Sequence, residues 1–197
     1  MSNGKSLSES GYSFGLTISG GFLLLMSITG FLCGAEALSA AVLAAAAHEL
    51  GHLILILGQG CLPSSLRLDS SGAVLRCQGP EPAVRQELIR ALAGPAAGFL
   101  LWLLLRSALS PFLQAAAGMS LMLCLVNLLP APGLDGGRVL ACLLMDLLEA
   151  ESWLRLSALL GYFSAILILT LGLFRSPQLF LYGLWLFLRQ LRARLRD

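Results

Sequence analysis

Apolar residues run along this chain in long blocks, separated by short polar stretches that carry most of the Pro and Arg. A helix needs about 20 mainly apolar residues to cross a bilayer. On that measure the blocks predict spans over residues 14–32, 41–57, 87–109, 111–129, 153–174 and 178–191. The link at 34–38 is so short that the first two helices must be antiparallel neighbours. Gly20, Gly21 and Gly30 would let another helix approach the first closely in lipid. A short helix at about 137–149 follows the fourth span, beginning at Gly136-Gly137. The last two spans read as scaffold. The expected fold class is an all-α polytopic membrane protein of about six transmembrane helices.

Two places depart from this pattern. Residues 58–82 are polar, and within them 62–68 and 73–77 partly alternate about Asp69-Ser70-Ser71-Gly72. That predicts a short β-hairpin after the second helix, either a surface flap or an edge against which an extended peptide could pair. The second place is Gly94-Pro95 in the third span. It reads as a helix break lining a wet cavity. It reads equally as a close helix contact, with Ala93, Ala96, Ala97 and Gly98.

The composition agrees with a membrane protein: 57% of residues are hydrophobic and 12% charged, against about 25% charged in soluble domains. The 197 residues make one domain, 14–197, behind a polar N-terminal tail, 1–13, expected to be flexible. The first block lacks a positive leader region and an A-x-A cleavage site, so it reads as a retained helix. A net charge of +2 excludes nucleic acid as a partner. With six spans both termini share a side, and only Arg106 and Arg175 of the 13 basic residues fall on the other. Both termini are therefore expected in the cytoplasm, in a membrane whose short loops suit a prokaryotic inner membrane. None of the five cysteines forms a C-x-x-C pair. Cys61 and Cys77 flank the hairpin and could face each other across it, but a cytoplasmic loop argues against a disulfide.

The chemistry is concentrated in one block, residues 41–57, AVLAAAAHELGHLILIL. Its polar residues are His48, Glu49 and His52, the H-E-x-x-H arrangement, and these are the only two histidines in the chain. Residues four apart lie on one helix face, so both imidazoles can address one metal ion, with Glu49 beside them as base toward a water. A trio of polar side chains satisfied by neighbouring helices is the plainer alternative. A catalytic zinc takes a third protein ligand. The position six past His52 is Gly58, not histidine, and Glu81 and Glu87 lie in a polar loop and at a helix entry. Asp135 is better placed, in a turn set by Pro and Gly at the end of the fourth span, although an N-cap role would also explain it.

His48-Glu49-Leu50-Gly51-His52 in an apolar helix, with Asn127 to Pro130 and Leu134-Asp135-Gly136-Gly137-Arg138 closing a later one, resembles the site-2 proteases of the M50 type. Ala93-Gly94-Pro95 also looks like a family element. The resemblance covers about half the chain, and the compact layout without an inserted PDZ domain looks most like the sporulation-type branch. Gly133 stands where the family often has Pro, and Gly98 where it often has Asn. Many sporulation-type members carry a C-terminal CBS domain; none is expected here. The resemblance implies one zinc ion per chain held by His48, His52 and Asp135, and Glu49 as general base. It also implies Asn127 as a holder of the substrate backbone. The substrate would be a transmembrane or membrane-tethered protein, cut in or near its membrane segment. A regulatory membrane partner or a second copy of the chain is left open. The rival readings are a membrane metal transporter, for which spans five and six offer almost no polar path, and a proteolytically inactive homologue, which would be expected to have lost the Glu or a ligand.

Overall fold

The computed structural model describes residues 15–69, 72–78, 81–144, 146–175 and 177–194. The expected tail, the turn residues Ser70 and Ser71, and Arg196 of the basic C-terminus lie outside these residues. In chain order the elements are β1 (Gly15–Ile18), α1 (Gly20–Gly58), β2 (Leu62–Asp69), β3 (Gly72–Gln78), α2 (Val84–Leu105), α3 (Pro111–Asn127), α4 (Asp135–Leu144), α5 (Ala150–Arg175) and α6 (Pro177–Arg194). The protein is mostly helical, with one small sheet. Among the described residues three helices, α1, α2 and α5, are long and apolar enough to cross a membrane. The 17-residue α3 is apolar but shorter, and α6 ends in Arg189, Arg192 and Arg194.

The first expected span is corrected. Residues 15–18 form a strand, and the helix starts only at Gly20, where Ser19 caps it by accepting from the Phe22 N–H (3.1 Å). The break between the first two helices is also narrower than expected. Only Gly34, at φ 83° and ψ 165°, leaves helical geometry. That one residue folds α1 back on itself. A straight helix of 39 residues would hold its ends about 58 Å apart. The chain from Gly58 to Leu68 reaches at most about 36 Å, yet the Ser19 N–H donates to the Leu68 carbonyl (2.9 Å). A Cβ built on Gly30 would lie 3.1 Å from a Leu38 methyl, a contact only a bend allows.

Folding back at Gly34 fixes the level of the sheet. Counted from the bend, Gly20 and Glu49 both lie about 21–23 Å along their limbs. The hairpin tip is tied to both: Ser19 Oγ donates to Asp69 Oδ1 (3.0 Å), and the Ala73 N–H donates to Glu49 Oε1 (3.3 Å). The expected hairpin is present, and β1 adds a third strand in the order β1-β2-β3, parallel to β2, while β2 and β3 are antiparallel. A disulfide joins Cys61 to Cys77 (Cα–Cα 5.9 Å), against the compartment-based expectation. Its local cause is the ladder, which sets Cys77 opposite Pro63 and so beside Cys61.

The interior is built from small residues. Ala40, Ala44 and His48 make one buried stripe of α1. The buried residues of α2 are Ala91, Ala93, Gly94, Pro95 and Gly98, and those of α3 are Ala116, Ala117, Ser120 and Cys124. Large side chains such as Leu50, Ile54, Phe99 and Leu104 face outward, as suits lipid, where close backbone approach and not apolar burial holds helices together. Ser120 Oγ adds a buried hydrogen bond to the Gly98 carbonyl (2.8 Å). The α5–α6 pair has its own core, Ala165, Ile168 and Leu186, packed against Val126 of α3 and Leu129 just beyond it. A Cβ on Gly34 would be forced into a backbone region nearly exclusive to glycine, costing about 1–3 kcal/mol. Gly34→Ala should therefore lower the thermal midpoint in detergent, whereas Gly118→Ala, in α3 with open space around it, should not; equal midpoints would mean that the bend is not strained by a side chain.

Candidate metal centre

Three of the residues singled out from the sequence converge. His48 Nε2 lies 3.0 Å from Asp135 Oδ2, His52 Nε2 lies 3.2 Å from the same oxygen, and the two Nε2 atoms are 3.2 Å apart. All three are largely shielded from solvent, and among the described residues they are the one group of His, Cys, Asp or Glu arranged to hold a metal. The helical spacing of four explains the pair of imidazoles. Asp135 comes from the first turn of α4. Its carboxylate faces the imidazoles instead of capping its own helix. Zinc bonds of about 2.0–2.2 Å in tetrahedral geometry place ligand atoms about 3.3–3.6 Å apart, a little wider than the triangle observed.

The Arg90 carbonyl lies 2.8 Å from His52 Nδ1. A carbonyl only accepts, so His52 carries its proton on Nδ1 and turns the lone pair of Nε2 inward. That lone pair faces a carboxylate oxygen and a second imidazole nitrogen at 3.2 Å. With both imidazoles neutral and Nε2 unprotonated, three electron-pair donors meet at one point, and a cation there satisfies all of them. The residues fit a metal ion.

The third helix completes the floor. Glycine at 94 is needed for space: a Cβ there would run into His52 Nε2 and lie 2.7 Å from His48 Nε2. Gly51, between the two histidines, lets α1 lie on α2, since its Cβ would lie 2.5 Å from the Ala93 carbonyl oxygen and 2.6 Å from the Ala97 methyl. Of the two readings of Gly94-Pro95, close contact is the one observed: α2 runs unbroken from Val84 to Leu105 with Pro95 inside it. Gly98, where the family often has Asn, rests against Ser120 of α3.

Glu49 lies next to this group, half-buried, with the Ala73 N–H on its carboxylate. Glu81 is exposed ahead of α2. Glu87 turns to Arg138, whose Nη2 and Nε donate to its Oε1 at 2.7 and 2.9 Å. Asn127, in the last turn of α3, donates its amide to the Leu123 carbonyl (3.0 Å). Reading the sequence missed the Arg90 carbonyl, the Ala73 N–H and the Glu87–Arg138 pair. The first two are backbone groups without a sequence signature, and the third joins residues 51 positions apart.

These features describe a helical membrane protein with a His-His-Asp group that could hold a metal ion, beside a glutamate. The model of Peptidase family M50 matches residues 104–171, which carry α3, the Asp135 turn, α4 and most of α5. No curated protein sequence matches. The fold is similar to that of the site-2 protease from Methanocaldococcus jannaschii, with a TM-score of 0.67, 22% identity, and 91% of this chain and 90% of that one covered. The family model covers about a third of the chain, and the likeness to the solved structure is one of fold. A methyl on Gly94 would intrude where the donors meet, so Gly94→Ala should fold yet take up far less zinc, read by metal analysis of the purified protein; full occupancy would place the metal elsewhere.

Proposed function

We propose that the chain is a zinc-dependent intramembrane endopeptidase that cuts a membrane-embedded or membrane-tethered protein in or near its transmembrane segment. The observation that carries this reading is the meeting of His48 Nε2, His52 Nε2 and Asp135 Oδ2 within 3.0–3.2 Å beside Glu49. His48, His52 and Asp135 would hold one zinc ion. When bound, it supplies Lewis acidity to a water and to the scissile carbonyl. Glu49 takes the proton of the attacking water and returns it to the amine that leaves. The Arg90 carbonyl keeps His52 in the tautomer that presents Nε2.

A helical substrate hides its amides and must be drawn out before attack. The outer edge of β3, which has a strand neighbour on one side only, is suited to receive it as an added strand. The tip of that hairpin is bonded to Glu49, so a strand lying on β3 is led toward the base. Asn127 is the candidate to hold the substrate backbone, and it would release the Leu123 carbonyl to do so. The chain would be multi-pass with about six spans and both termini in the cytoplasm, the site lying in the half of the bilayer nearer that side, in a prokaryotic inner membrane. The Cys61–Cys77 bond runs against this orientation, because cytosolic thiols are kept reduced; labelling of Cys61 and Cys77 in intact cells decides it.

Co-expression with a tagged membrane-tethered substrate tests the activity. Wild type should cleave. Glu49→Gln should keep its zinc and lose cleavage by at least about 10²-fold. Asp135→Asn should lose zinc. Equal cleavage by wild type and Glu49→Gln would remove the assigned base. Zinc transport surviving Glu49→Gln, without proteolysis by either form, would make the chain a transporter.

A further inference from the structure

Asp135 has two oxygens with separate tasks. Oδ2 faces both imidazoles, and Oδ1 accepts from Arg138 Nη1 at 3.3 Å. Arg138 lies three residues on in the same short helix. Such a pair is loose by itself, since a half-exposed arginine samples many rotamers and a single surface contact fixes it poorly. Here the guanidinium is anchored from another helix. Glu87, in the first turn of α2, takes both Nε and Nη2 on one oxygen, at 2.9 and 2.7 Å.

One turn later the same helix offers the Arg90 carbonyl to His52 Nδ1. The Arg90 side chain, through Nε, donates to Gln59 Oε1 (2.6 Å) at the end of α1. A single turn of α2 thus reaches a donor on α1 and a donor on α4, one through its backbone and the other through an ion pair. We propose that Glu87 is a positioning residue for Asp135, acting through Arg138, so that residues 87–90 of α2 set the aim of two of the three metal donors. The inference rests on the metal reading given above. Outer partners of this kind commonly change metal affinity by about 10–100-fold when removed. A half-exposed ion pair adds little to fold stability, so the effect belongs in the metal site and not in the melting curve.

The test uses the full-length protein in detergent, with zinc affinity measured against a competing chelator and the spectrum of the cobalt-substituted form recorded. Glu87→Gln should weaken zinc about tenfold and alter the cobalt spectrum, with metal-free thermal unfolding unchanged. Arg138→Gln should do the same, and the double variant should be no weaker than Arg138→Gln alone, because the two act in series. Glu151→Gln, which opens the Glu151–Arg155 pair on α5, should change nothing. Should Glu87→Gln not fold, Glu87→Asp is read instead and should give a smaller loss with a shifted spectrum. Wild-type affinity and spectrum in the Glu87 variant, or additive losses in the double variant, would overturn the proposal while leaving the metal site standing. A wild type that binds no zinc would overturn both.

Discussion

The contact between α1 and α2 leaves no room for a side chain at Gly51 or Gly94, and the site depends on it. Gly51 meets the Ala93 carbonyl, and Gly94 lies flat beneath both imidazoles. Any side chain at either place would separate the helices or occupy the space where three donors meet. Polar groups drawn into an apolar interior are costly unless satisfied. Close approach satisfies His52 Nδ1 by bringing the Arg90 carbonyl to it, and leaves a small shared point for a cation. The alanines and glycines around it are therefore part of the site, although none of them carries chemistry.

The part of the site that obeys a helical repeat could be read directly. His48, Glu49 and His52 lie in one apolar block, and their spacing alone assigns them to neighbouring positions on a helix. Asp135 followed by elimination among few acidic residues, and the structure brings it to the histidines. The hairpin was visible in its turn residues, though not the added strand β1, because residues 15–18 continue the apolar block behind them. The disulfide was set aside on grounds of compartment, a premise that local geometry does not share. Gly94-Pro95 left two readings open, since proline in a helix and small residues at an interface look alike in one dimension.

Support for the donors is graded by distance from the metal point. The inner layer is three atoms on two helices. Next come Arg90, Arg138 and Glu87, which tie α1, α2 and α4 together with charges facing the polar edge. Beyond them the Arg189 side chain of α6 lies against Gly133, in the turn leading to Asp135, and Gln190 of α6 lies against Gly161 of α5. Gly133, at φ 86°, gives up its side chain so that the Arg189 guanidinium can lie there. The departure from Pro at this position thus comes with an arginine filling the space.

The bend at Gly34 also dictates an order of events as the chain is made. β1 and β2 are parallel neighbours with the whole of α1 between them. They cannot meet until both limbs have entered the lipid and turned at one glycine. The hairpin can form by itself, from local sequence, as soon as its residues emerge. Pairing with β1 must wait, and so does the network through Ser19 and Asp69 at the level of Glu49. A nascent chain therefore completes the strand layer beside Glu49 only after both limbs of α1 are in place, and the group of three donors forms later still, once α4 brings Asp135.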